Sequence, residues 1–156
     1  MTLDSPPPPL PPPPALRRAV ARLCVEHGVR ALYAFGSREP QAWRLLGGAR
    51  ARGSSDLDLG VLWLAPRAPR GFEVCAKLED GLCSRLRGVR LDLVELDRAG
   101  TFLKSAALKG ERLYAADDRE LDAYEELIWA MEGDLLPIHR ETLRELVDLI
   151  RVEAGR

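Results

Sequence analysis

The sequence predicts an α/β (α+β) fold: a small mixed sheet of three or more strands packed by helices, with a helical C-terminal tail. Three observations carry this. Short, largely apolar runs at 31–35, 56–63 and 89–96, the second rich in Leu and Val, have strand character. They alternate with segments whose apolar residues recur at helical spacing. Beyond Asp117 only helical spacing appears.

Residues 1–14 include Ser5-Pro6-Pro7-Pro8-Pro9-Leu10-Pro11-Pro12-Pro13-Pro14. Proline fixes φ and removes backbone donors, so this arm is expected to be a disordered, solvated polyproline II tail. A ligand for a proline-binding module is the sharper but less favoured reading. Residues 15–156 are expected to form a single domain. From Ala15 to His27, Leu16, Val20, Leu23, Cys24 and His27 make a helical stripe, and Gly28 is its stop. Ala31–Phe35 is the first strand, ended by Gly36-Ser37. Residues 38–55 are polar and Arg-rich, with Gly47-Gly48 and Gly53-Ser54-Ser55, and are read mainly as a loop, mobile without ligand. Asp56–Trp63 is the second strand, followed by a break at Pro66 and Pro69.

Phe72–Leu86 places Cys75, Leu78, Leu82 and Leu86 on one helical stripe, with Gly88 after it. Val89–Leu96 is the third strand, and 99–109 a short helix. Asp117 with Glu120 resembles a capping box opening a helix that carries Leu121, Tyr124, Ile128 and Met131. Pro137 is expected to separate it from a last helix bearing Leu143, Leu146, Val147 and Ile150.

The 156 residues suit one sizeable core. A net charge of −1 gives no bulk argument for a nucleic-acid or membrane partner. The distribution is uneven: residues 1–53 carry eight Arg, while 111–134 carry nine acids against Arg112 and Arg119. Three cysteines, Cys24, Cys75 and Cys83, without a CxxC pair argue against a disulfide framework or a structural zinc site and fit a reducing compartment. With no membrane-spanning run and no signal-peptide pattern, the expected location is the cytoplasm.

The chemistry concentrates in Phe35-Gly36-Ser37 and, after eighteen intervening residues, Asp56-Leu57-Asp58-Leu59-Gly60-Val61. Residues two apart on a strand share a face, so Asp56 and Asp58 project together while Leu57, Leu59 and Val61 enter the core. Two adjacent carboxylates repel unless a cation lies between them. Magnesium suits this role, because it takes oxygen ligands and shares sites with phosphates. Gly36 permits close approach of the backbone to a ligand, and Ser37 offers a hydroxyl and an N–H to phosphate oxygens. Asp92, among apolar neighbours in Leu91–Leu96, is the candidate to complete the metal site and to draw the proton from an attacking hydroxyl. Glu95 projects to the opposite face, and Asp97 reads as a helix cap. Arg38 is the loop arginine best placed to grip phosphate; Arg44, Arg50 and Arg52 read rather as a solvated basic loop. Trp43 reads as locally packed, His27 and His139 as structural, and the cysteines as core residues.

These motifs resemble the nucleotidyltransferase fold of the DNA polymerase beta superfamily. Within it, the small size is similar to the minimal nucleotidyltransferases, the MntA-type antitoxins of HEPN–MNT toxin–antitoxin pairs. The specific part is Ala34–Arg38, Ser55–Val61 and Leu91–Val94, and Leu108–Tyr114 is similar to the family's tail. The resemblance implies that Gly36, Ser37 and Arg38 bind the triphosphate of ATP and that Asp56, Asp58 and Asp92 bind two Mg2+ ions. It further implies an AMP transfer to a tyrosine of a HEPN ribonuclease toxin. The chain departs from the family in its longer gap between Ser37 and Asp56, which a loop tolerates at small entropic cost. A small-molecule acceptor such as an aminoglycoside, and a non-catalytic toxin-binding module, are the rival expectations. The shortness of the chain after Asp117 disfavours the first, and the intact carboxylates disfavour the second.

Overall fold

The computed structural model describes residues 11–65 and 72–154. Most of the proline-rich arm and the break at Pro66 and Pro69 lie outside the described residues, as does the side chain of Ile150. Helix α1 (Pro14–Glu26) starts with proline at its first position, where a missing N–H costs nothing, and ends before Gly28, whose φ of +68° terminates it. Strand β1 (Val29–Phe35), helix α2 (Ala42–Leu46), strand β2 (Leu57–Trp63), helix α3 (Phe72–Cys83) and strand β3 (Leu91–Glu95) follow. Helix α4 (Thr101–Leu108), strand β4 (Glu111–Ala115) and the long α5 (Asp118–Ala154) complete the order.

The four strands form one mixed sheet in the order β3-β2-β1-β4. Strand β1 runs antiparallel to both β2 and β4, whereas β2 and β3 are parallel. Successive residues of β1 and β2 supply two cores, one on each face of the sheet. Leu32, Ala34, Leu57, Leu59, Val61 and Trp63 pack with Val20 and Cys24 of α1, Leu45 and Leu46 of α2, and Leu78 and Leu82 of α3. Ala31, Tyr33 and Leu62 pack on the other face with Leu108 of α4 and Leu121 and Ile128 of α5. Because both faces are covered, the two central strands are almost wholly apolar, which explains their clear sequence signal.

Several expectations need correction. The segment 38–55 is not mainly a mobile loop. It opens with a 3-10 turn over Gly36–Gln41 and continues into α2, where Ala42, Leu45 and Leu46 are at most 2% exposed. Burial of three apolar side chains outweighs the weak local helix signal. Strand β4 was not foreseen. Asp56 lies one residue before β2, not within it. Helix α5 runs through Pro137 without ending. Gly133 and residues 137–148 are exposed, so water can take up the carbonyl that proline leaves without a partner.

The start of α5 follows the capping expectation in part. The Asp117 carboxylate accepts the Glu120 N–H at 3.0 Å, but the Glu120 side chain turns to Arg30 at 2.9 Å. The helix is fastened to the sheet by a polar cluster. Arg112 of β4 pairs with Asp118, Asp122 and Glu125 at 3.0, 2.7 and 2.8 Å. Tyr33 of β1 donates its hydroxyl to the same buried Glu125 at 2.5 Å. Beyond this anchor the helix continues along α4, where Ser105 and Lys109 bond to Glu132 and Phe102 packs on His139. At 1.5 Å per residue its 37 residues extend about 55 Å. Met131, Leu135, Ile138, Leu143, Leu146 and Val147 are exposed along it. Among the described residues, no helix is long and apolar enough to cross a membrane.

Candidate functional site

Three chain segments meet at one end of the sheet. Strand β1 delivers Phe35, whose backbone neighbour across the ladder is Asp58. The chain then turns at Gly36, with φ of +74°, a conformation that side chains resist. A Cβ placed on Gly36 would fall on the Oδ2 of Asp58. Gly36 therefore serves the site in two ways: it makes the turn, and it leaves the space that the Asp58 carboxylate fills. Gly36 and Ser37 are both exposed, so their backbone and the hydroxyl face solvent beside that carboxylate.

Strands β2 and β3 place the carboxylates. In their parallel register, Asp58 stands directly beside Asp92. The Asp58 carboxyl is held above its ordinary range, first by partial burial and then by the charges of Asp92 and Asp56. Asp56 and Asp92 thus both lie within electrostatic reach of Asp58. Asp92 is exposed rather than sunk among apolar neighbours, because β3 is an edge strand. Solvent, and not an obligatory partner, accounts for its tolerance there.

The positive residues are arranged differently from expectation. Arg38 is only 2% exposed. Its Nε donates to the Ser55 carbonyl at 2.5 Å, its Nη2 to the Arg52 carbonyl at 2.8 Å, and its Nη1 approaches Gln41 Oε1 at 3.4 Å. These contacts tie the 3-10 turn to residues 52–55, immediately before Asp56, and they occupy the guanidinium that was expected to grip phosphate. The cation that meets the aspartates is Arg90. Its Nε and Nη2 donate to Asp56 Oδ1 and Oδ2, each at 3.1 Å. Sequence reasoning missed Arg90; the signal that could have found it is a basic residue two positions before Asp92, on the predicted strand that flanks the carboxylates.

The donor set consists of carboxylate oxygens, the type that magnesium prefers. Among the described residues, no three acidic, His or Cys side chains converge on a single point as a formed metal cage, since Asp56 is turned onto Arg90. The donor chemistry and the crowding at Asp58 nonetheless fit a divalent cation. A cavity of about 270 Å³ adjoins Asp56, lined also by Gly53, Ser54, Ser55, Gly88, Val89 and Arg90.

Other acids nearby are structural. Glu95 accepts the Trp63 indole N–H at 3.0 Å, and Asp97 accepts the Trp63 backbone N–H at 2.9 Å. Asp97 therefore extends the β2 ladder; it is not the cap of α4, which has Gly100 at that position. His27 bonds the Leu23 carbonyl at 2.8 Å, and His139 packs on Phe102 at 4.6 Å between ring centroids. Cys24 is the fully buried cysteine, its thiol pushed up to about 12 by burial, whereas Cys83 is exposed.

Solved structures share this arrangement of strands and helices. A chain from a toxin–antitoxin complex with AMP-PNP aligns with a TM-score of 0.62 at 18% identity, over 84% of this chain and 98% of the other. A chain from tri-AMPylated Shewanella oneidensis HEPN toxin in complex with MNT antitoxin gives 0.59 at 17%, over 85% and 97%. A chain from the MntA–HepT toxin–antitoxin gives 0.58 at 17%, over 85% and 97%. This is the nucleotidyltransferase fold. No protein-family model matches the chain, and no curated protein matches it in sequence. Within the nucleotidyltransferase fold, Gly36, Ser37, Asp56, Asp58 and Asp92 gather at one sheet end, while Arg38 sits behind them as a clamp on residues 52–55.

Proposed function

We propose that the chain is a metal-dependent nucleotidyltransferase that moves AMP from ATP to a hydroxyl of a partner protein, a tyrosine of a HEPN ribonuclease toxin, and so acts as its antitoxin. One observation carries the reading most: the Asp58–Asp92 register pair, crowded by Asp56 and by the side-chain-free Gly36 turn. The similar solved structures support it, one being a complex with AMP-PNP and another containing an AMPylated HEPN toxin.

In this reading the Gly36-Ser37 backbone and hydroxyl receive the triphosphate. Asp56, Asp58 and Asp92 would hold two Mg2+ ions, which supply charge stabilisation to the attacking and leaving oxygens. Asp92, exposed on the edge strand, accepts the proton of the acceptor hydroxyl. The acceptor oxygen bonds to the α-phosphorus, the bond from that phosphorus to the β-phosphate oxygen breaks, and pyrophosphate leaves with the bonding pair. Arg38 keeps residues 52–55 in place so that Asp56 stays at the site. The apolar ridge of α5 offers the partner a helix face to dock on.

The same ridge favours one second reading, a module that silences its partner by contact alone. Labelled ATP, magnesium and the candidate toxin separate the two. Transfer of label to the toxin by the wild type and none by Asp92→Asn is the expected result. Full protection of cells by Asp92→Asn, with an unmodified toxin, would leave the contact module as the better account.

A further inference from the structure

Sizeable concavities lie away from the aspartates. Three adjoining hollows of about 940, 690 and 450 Å³ open around α2, and Arg44 lines all of them. The first is floored by Gly47 and Gly48 and flanked by Arg85 and Arg87. The second holds Arg50 and Arg52. Neither contains an acidic residue; Glu111 lies in the third.

Arg30 pairs with Glu120, Arg90 with Asp56, and Arg112 with three acids. Among the described residues, Arg44, Arg50, Arg52, Arg85 and Arg87 form no ion pair. Five unpaired cations on one concave surface repel each other, and a net charge of −1 excludes general basicity as their cause. Arg50 and Arg87 face each other across a parallel bridge, and the same two segments continue to the Asp58–Asp92 pair. From Arg87 to Asp92 an extended chain covers about 16 Å. Trp43, half-buried, lines two of the hollows with the Arg17 guanidinium 6.0 Å from its ring.

We propose that this arginine face binds single-stranded nucleic acid. One small anion needs a single guanidinium fork in an enclosed pocket, whereas here separate forks are spread over open, joined hollows. That pattern matches successive phosphates of a strand, and a base reaching Trp43 would use the ring face opposite the Arg17 guanidinium. The exposed backbone of Gly47 lets a strand approach closely.

The test uses the full chain without nucleotide or magnesium, so it is independent of the transfer reaction. Fluorescence anisotropy with a labelled single-stranded RNA, and with DNA of the same sequence, is measured across salt. Binding should weaken with salt, with a log–log slope of about −3 for four to five neutralised phosphates. Arg44→Ala combined with Arg87→Ala should weaken binding at least about tenfold and flatten the slope by about 1.4. Removing equal charge from α5, by Arg119→Ala with Arg140→Ala, should change little. Thermal melting checks that each variant is folded, and Arg52→Gln is the second probe if the double variant is not. A preference for RNA assigns a contact to the 2′-hydroxyl, and equal binding assigns recognition to phosphate and base stacking; both agree with the proposal. Absence of salt-dependent binding to either strand overturns it, as does an equal loss in the α5 control or wild-type affinity in the arginine variants.

Discussion

Arg90 grips Asp56 through two parallel hydrogen bonds of 3.1 Å, so the first aspartate of the pair is already neutralised by the protein itself. A cation that binds Asp56 must compete with this guanidinium. Arg90 is 84% exposed along its side chain, and an ion pair so solvated contributes no more than about 1 kcal/mol to stability. Arg90→Ala should therefore leave the melting temperature almost unchanged while lowering the magnesium concentration needed for half-maximal AMP transfer several-fold. A raised magnesium requirement would show instead that Arg90 assists nucleotide binding.

The Asp58 carboxyl gives a prediction in pH. Its folded-state affinity for a proton is raised by burial and by its two neighbours. Between the ordinary carboxylate range and that raised value, the folded chain binds more protons than the unfolded one. Stability from this group therefore falls as pH rises through the window and stays reduced above it. Asp58→Asn should stabilise the metal-free protein at neutral pH, with a gain that shrinks on acidification, and should abolish transfer. Magnesium should raise the melting temperature of the wild type more than that of the variant. Melts from pH 4 to 7, with and without magnesium, test both statements; a variant less stable at pH 7 contradicts the assigned crowding.

Gly36 and Asp58 should be energetically coupled. Gly36→Ala forces a side chain into positive φ, at about 1 kcal/mol or more, and into the space of the Asp58 carboxylate. In an Asp58→Ala background the backbone strain remains and the clash disappears. A double-mutant cycle in urea should therefore give a favourable coupling of about 0.5–2 kcal/mol. Strict additivity would show that the two do not share this space.

The insertion between Ser37 and Asp56 is a packed element, and its deletion should be costly. Leu45→Ala and Leu46→Ala should each destabilise by about 2–4 kcal/mol, because both side chains are buried against the sheet. Removing 42–49 should prevent folding. Near-normal urea midpoints for these variants would mean that α2 is dispensable.

Arg112→Ala should cost about 3 kcal/mol, since it leaves Glu125 buried with only the Tyr33 hydroxyl as partner. Arg112→Ala with Glu125→Gln should recover part of that loss. No recovery would show that packing of the arginine stem dominates.

The central strands and the three aspartates were legible because their pattern is nearly independent of context. Continuous apolar runs broken by acids at fixed places read the same in any mixed sheet. Helix α2 was hidden because Arg44 and Gly47-Gly48 give it a loop-like composition, and only the sheet beneath makes Leu45 and Leu46 a buried face. Strand β4 was hidden because Glu111-Arg112 lacks strand character by itself and pairs with β1 across a long sequence gap. Pro137 misled because the usual penalty assumes that the freed carbonyl cannot reach water. Arg38 was recognised as special, but the direction of its guanidinium depends on a 3-10 turn that composition does not reveal.

Strand β3 has five residues and one neighbour, so one of its sides presents backbone groups that no strand of the described residues covers. An open edge of this kind is a template onto which another molecule's strand can add, and charged residues are a common guard against it. Asp92 is an exposed charge on that edge. The residue placed at the centre of the proposed reaction should therefore also hinder strand addition at that edge. Variants that neutralise Asp92 should be handled with this second loss in mind: their tendency to self-associate, read by light scattering, rises even where no acceptor is present.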